Sequence, residues 1–133
     1  MLNFLGEKMK ERCYFYKALV IKVTDGDTIV ADIDVGFGFK TSKTKIRLDG
    51  IDTAEIKSKD PLLKERAEAA KSWLKNEIEG KEIYVESTGL DKYGRSLAKI
   101  YTIGGSCCND ELVKMGLAIR YDGGTKHQEL LKD

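Results

Sequence analysis

Three short stretches hold the side chains best suited to chemistry. "TDGDT", residues 24–28, offers Asp25 and Asp27. "RLDGIDTAE", residues 47–55, offers Arg47, Asp49, Asp52 and Glu55. "DKYGR", residues 91–95, offers Asp91, Tyr93 and Arg95. Carboxylates bunched at strand ends serve either as turn and capping groups or as oxygen ligands of a hard cation. Composition alone leaves both open. It excludes an EF-hand: the spacing after Asp25 and Asp27 does not continue, and no glutamate closes a twelve-residue loop. Arg95 stands where a strand begins, and a guanidinium held there matches phosphate oxygens bidentately. The plainer alternative is a polar hairpin loop with Gly94 in the turn.

The elements that would position these groups are set by hydrophobic periodicity. Strands are expected over residues 15–24, 27–35 and 44–51. Asp25-Gly26 between the first two reads as a type I′ turn, which needs φ > 0 at both central positions. In "TKIRLDGI" Ile46, Leu48 and Gly50 face one way, and Lys45, Arg47 and Asp49 the other. Asp60 suits an N-cap and Pro61 the first helical position. Leu63, Ala67, Ala70, Leu74 and Ile78 then recur at helical spacing until Gly80. Two more strands are expected near 81–87 and 95–102. A short helix comes next, with Ser106 as cap and Gly116 as terminator, and a third helix is expected after Gly123-Gly124. Three strands, helix, two strands, helix is the layout of an α+β, mainly β, five-stranded OB-fold barrel with about three helices. The pattern also admits an open five-stranded sheet.

The 133 residues fit one domain, residues 1–133. A charged fraction of 34% and a net charge of +1 describe a globular chain whose bulk electrostatics name no partner. Positive charge concentrates at Lys40, Lys43, Lys45 and Arg47, either as a contact patch or as a lysine-protected strand edge. Cys13, Cys107 and Cys108 are odd in number, and two are adjacent. That is neither a disulfide framework nor a zinc motif, and a reducing, cytoplasmic setting is expected. No apolar run is long enough for a membrane span or a signal-peptide core. His127 lies outside every motif and reads as a surface or helix residue.

Taken together and in order, "DGDT", "R-L-x-G-I-D-T-x-E" and "D-K-Y-G-R-x-L-A", with "NDELVKMGLA" near the end, resemble the thermonuclease, or staphylococcal nuclease-like, family. The similarity runs from about Val20 to Tyr121. It implies an OB-type barrel and calcium-dependent hydrolysis of DNA and RNA phosphodiesters, leaving 3′-phosphate ends, with single strands preferred. A monomer is expected. By position, Asp27 and Asp52 match the family's metal-binding carboxylates. Thr53 matches a backbone carbonyl ligand, and Asp25 an acidic neighbour reached through water. Glu55 matches the carboxylate beside the attacking water, Arg47 and Arg95 the pair that grips phosphate, and Tyr93 and Tyr121 the aromatics of the nucleotide pocket. Ala54 stands where the family usually has proline. The alternative is a non-catalytic nucleic-acid or protein-binding OB-fold module.

Overall fold

The computed structural model describes residues 14–124 together with Leu130 and Leu131. The expected third helix, His127 and Cys13 lie outside the described residues. The strands are β1 (Phe15–Asp25), β2 (Thr28–Gly36), β3 (Phe39–Lys40), β4 (Thr44–Leu48), β5 (Ile51–Thr53), β6 (Glu82–Leu90), β7 (Ser96–Thr102) and β8 (Ala118–Arg120). The two helices among the described residues are α1 (Pro61–Ile78) and α2 (Cys108–Lys114).

Alternation closes the barrel. Ala18, Val20, Ile29, Ala31, Ile46, Leu48, Ile83, Val85, Ala98 and Ile100 point inward from their strands and are buried. Each burial supplies about 1.5–3 kcal/mol for a full aliphatic side chain. The strands are ordered β1-β6-β7-β4-β2, and β2 pairs with β1 to complete the ring. All pairings in the ring are antiparallel except β4 with β7. That is the OB-type α+β barrel, with the short β3 pairing with the far end of β2, beyond the residues that pair with β4. α1 closes one end with the stripe Ala67, Ala70, Leu74 and Ile78. Asp60 caps it, accepting the Leu62 N–H at 3.0 Å.

Three local expectations need correction. The stretch 44–51 is not one strand: Asp49 and Gly50 turn the chain, with Gly50 at φ 76°, where L side chains are disfavoured. Beyond that turn β5 pairs with β8 as a separate ribbon, Asp52 facing Ile119. The turn after β1 is not type I′, because none of Asp25, Gly26 and Asp27 has positive φ. Gly26 is needed for room instead. A Cβ there would sit 2.6 Å from the Ala70 Cβ and 3.1 Å from Thr53 Cγ2, so α1 and β5 pack against bare backbone. Finally, α2 begins after Cys107, not Ser106, and no side chain caps it.

Asn109 on α2 is a polar residue inside the core, 2% exposed. Its amide donates to the Asp49 carbonyl at 2.8 Å and the Ala98 carbonyl at 3.1 Å, and its Oδ1 accepts the Ile100 N–H at 3.0 Å. A buried amide with these partners ties the Asp49–Gly50 turn to β7 and so fixes where β5 leaves the barrel.

Candidate active site

Asp27 leaves the first turn just before β2. Asp25 Oδ1 accepts the Asp27 N–H at 3.3 Å, the local side-chain turn that aspartate favours. The Asp27 carboxylate is held from three sides. Thr28 donates its hydroxyl at 3.1 Å, Thr53 its backbone N–H at 3.3 Å, and Arg47 Nη2 approaches at 3.4 Å. Arg47 faces away from the barrel interior, as the alternation of β4 requires, yet is only 7% exposed. Its Nη2 also lies 3.3 Å from Asp52 Oδ1, its Nη1 donates to the Leu48 carbonyl at 3.2 Å, and its Cζ lies 5.6 Å from the Tyr121 ring centre. Tyr121 is placed there because β8 runs on beside β5, its N–H donating to the Gly50 carbonyl at 2.9 Å.

Asp52 is 1% exposed. One buried and one partly buried carboxylate facing one guanidinium form a compact charge cluster, stable only with its counter-charge in place. Burial, together with the hydrogen bond and charge of Asp27, pushes the Asp25 carboxyl up to about 6. Burial alone would also raise Asp27. The hydrogen bond from Asp25, the Arg47 charge, the Thr53 N–H and the Thr28 hydroxyl outweigh it and hold Asp27 below the usual range.

Arg95 is half exposed and belongs to a different device. Asp91 accepts from Arg95 Nε and, at 2.8 Å each, from the backbone N–H groups of Tyr93 and Arg95. This wraps the loop around one carboxylate and leaves the guanidinium's outer fork open. The Arg95 guanidinium also lies over the Tyr93 ring, 5.5 Å from its centre.

Two clefts result. One, of about 460 Å³, takes in Asp25, Asp27, Asp52, Thr53 and Glu55. The other, of about 340 Å³, takes in Leu90, Tyr93, Leu97 and Tyr121. Arg47 and Arg95 line both. The structure therefore brings all the expected residues to adjoining walls: oxygen donors on one side of the arginine pair, aromatic surface on the other. Glu55 is exposed at the rim of the acidic cleft, its carbonyl accepting the Ser58 N–H at 3.0 Å. Ala54 is buried against Ala67 and Leu131, so packing holds this loop without a proline.

Among the described residues no three carboxylate, histidine or cysteine groups meet at one point. The fit to a hard cation rests on the donor set. Asp27 Oδ2 and Asp52 Oδ1 already converge on one cationic atom, and Thr53 stands beside them. Carboxylate and carbonyl oxygens completed by water are what calcium prefers.

Residues 45–133 match the family model described as "Staphylococcal nuclease homologue". The chain belongs to the staphylococcal nuclease-like family. It is 33% identical over 102 residues to a thermonuclease of Staphylococcus intermedius, a match covering 75% of this chain and 56% of that protein. A thermonuclease of Staphylococcus hyicus is 30% identical over 117 residues, 85% of this chain and 65% of that one. A probable endonuclease of Candida glabrata is 35% identical over 83 residues, 60% of this chain and 32% of its own. The chain thus spans between about a third and two thirds of the length of these staphylococcal nuclease-like relatives.

Within this family member the structure gives a part to three residues that the motif resemblance left without one. Asp91 organises the Arg95 loop. Its signal is the spacing of Asp four residues before Arg, which permits a loop-closing ion pair. Lys57 and Lys71 line the acidic cleft. No sequence spacing marks them, since α1 brings Lys71 to the cleft only through the contact of Ala70 with Gly26.

Proposed function

We propose that the protein is a calcium-dependent nuclease that hydrolyses phosphodiester bonds of DNA and RNA, single strands foremost, leaving 3′-phosphate ends. The observation that carries this reading is the arginine pair shared by the two clefts. A phosphodiester lying across that wall has its charged oxygens on guanidinium, its sugar and base beside Tyr93 and Tyr121, and its phosphorus facing the carboxylates. The names of the similar thermonucleases and of the probable endonuclease support the same activity.

Asp27, Asp52 and the Thr53 carbonyl would hold the calcium ion, with Asp25 behind them. Calcium bound there supplies Lewis-acid charge to a phosphate oxygen. Arg95 grips the phosphate bidentately through its open fork, and Arg47 adds its charge from beneath. Both bind more strongly as negative charge builds on the oxygens. Glu55 orients the attacking water and takes its proton. The water oxygen bonds to phosphorus as the bond from phosphorus to the 5′ oxygen breaks, the 5′ oxygen takes up a proton from solvent, and the phosphate stays with the 3′ side. None of these groups is placed to read a base edge, which suits little base specificity. Cys107 and Cys108 are both thiols, in keeping with work in a reducing compartment, the cytoplasm; one chain carries every group named here, so a monomer suffices.

The test incubates the purified chain with denatured DNA and with RNA, in calcium and in EDTA. Degradation is expected in calcium only, and Glu55→Gln should cost about 10²–10⁴ in rate, the span of general-base contributions. Substrates left intact but retarded on a gel would replace the nuclease with a binding module.

A further inference from the structure

The β2–β3 hairpin tip takes no part in the site described above. Phe37 is 98% exposed and Phe39 is 68% exposed. Neither packs on the barrel, and Val35 beside them is itself 41% exposed. Phe37 moreover adopts φ 55°, between Gly36 at 84° and Gly38 at 77°. A bulky residue in this region is strained, and no burial offsets the strain here. The backbone is arranged so that an aromatic ring stands in water.

Charge says what would cover it. Residues 36–47 contain Lys40, Lys43, Lys45 and Arg47 and no acidic residue. With the facing strand's Asp32 and Asp34 counted, residues 32–47 still hold four cationic side chains against two carboxylates. The two carboxylates accept the backbone N–H groups of Lys43 at 2.7 Å and Gly36 at 3.0 Å. Exposed rings with interleaved lysines are what single-stranded nucleic acid binds, bases on rings and phosphates on cations. The patch is also continuous with the site. Lys45 precedes Arg47 on the same face of β4, and Arg47 pairs with Thr28 while Phe39 pairs with Gly36. Thr28 and Gly36 are the two ends of β2, about 26 Å apart at strand rise. At the stacked spacing of 3.4 Å that is about eight nucleotides, and fewer in an extended strand.

We infer that this hairpin is a second contact for the substrate strand, with Phe37 and Phe39 stacking on bases several nucleotides from the bond that is cut. The inference rests on the single-strand substrate proposed above. It makes the protein an enzyme whose affinity depends on strand length.

The test compares the wild type, Phe37→Ala/Phe39→Ala and Lys40→Gln/Lys43→Gln. Each is assayed on a dinucleotide and on a single-stranded 15-mer. Binding of the 15-mer is also followed by fluorescence anisotropy in a Glu55→Gln background. The aromatic pair should raise KM and Kd for the 15-mer about tenfold or more, in line with base stacking. Dinucleotide turnover should not change. The lysine pair should weaken 15-mer binding and lower the salt slope by about 1.4 for two lost phosphate contacts. Unchanged 15-mer affinity in both variants overturns the inference. So does an equal loss on both substrates, which would mean the tip supports the fold. A dimer dissolved by the aromatic substitutions, with 15-mer binding intact, assigns the tip to self-association and also overturns it. If the wild type cuts nothing yet binds the 15-mer through Phe37 and Phe39, the hairpin contact stands and the nuclease reading falls.

Discussion

At the scale of single residues, the two arginines are positioned by opposite means. Arg47 is buried and spends its N–H groups on Asp27, Asp52 and a carbonyl. Arg95 is exposed, and its aim depends on Asp91 alone among the carboxylates that pair with it in the described residues. On the proposed reading of Arg95, Asp91 acts as a positioning residue. Asp91→Asn keeps the shape and one acceptor oxygen but loses the charge that draws in Nε. It should lower kcat about tenfold, with a smaller change in KM, because an unaimed fork binds the ground state nearly as well as before. Asp91→Glu should restore part of the loss. Steady-state kinetics on one oligonucleotide separate the two effects. A variant whose KM alone changes would make Asp91 a loop-folding residue.

At the scale of elements, much depends on the first turn meeting α1. Gly26 has ordinary backbone angles, so alanine there strains no dihedral. It forces a Cβ to within 2.6 Å of Ala70. The rigid helix backbone must then shift, and Asp27, the next residue, shifts with it. Gly26→Ala should cost about 1–3 kcal/mol in stability, the usual size of overpacking, and reduce activity further than the lost stability explains. Urea melts and assays on the folded fraction decide it. Full activity in the destabilised variant would show that the turn does not aim Asp27.

The same turn shows what is legible in the sequence and what is not. The strands of the barrel, α1 with its Asp60 cap, and the site motifs are readable because each is a local pattern: alternation, a 3.6-residue period, a capping group. The reason for Gly26 is not readable. Asp-Gly has a strong local meaning, and the close approach of Ala70, far along the chain, leaves no local trace. The break at Asp49–Gly50 is hidden likewise. It is held by Asn109, and the ribbon beyond it pairs with β8, both contacts between distant parts of the chain. The burial of Arg47 depends on Tyr121 lying over it, which no spacing reveals.

At the scale of the whole molecule, the acidic cleft links the site to global stability. Asp25 has its carboxyl raised to about 6, above the ordinary 3.8, by burial and by its neighbour Asp27. The folded state thus holds this proton more tightly than the unfolded state. The stability Asp25 contributes is complete below about pH 4 and is lost as pH rises through about 6. Asp27, with its lowered value, runs the other way and loses its contribution as pH falls. Asp25→Asn removes the first effect and keeps an oxygen to accept the Asp27 N–H. In EDTA at pH 8 the variant should therefore be more stable than the wild type. About 1 kcal/mol is expected once a partly exposed carboxylate is discounted for screening, and the two should converge near pH 4. Calcium should reverse the order. At a hundred times its Kd, it adds about 2.7 kcal/mol to any protein that binds it only when folded, and it binds less tightly once an anionic neighbour is gone. Urea unfolding followed through Trp73, the single tryptophan, in EDTA and in calcium at pH 4, 6 and 8, reads all of this. A variant less stable than the wild type in EDTA at pH 8 would mean that Asp25 holds the turn more than it strains the cleft.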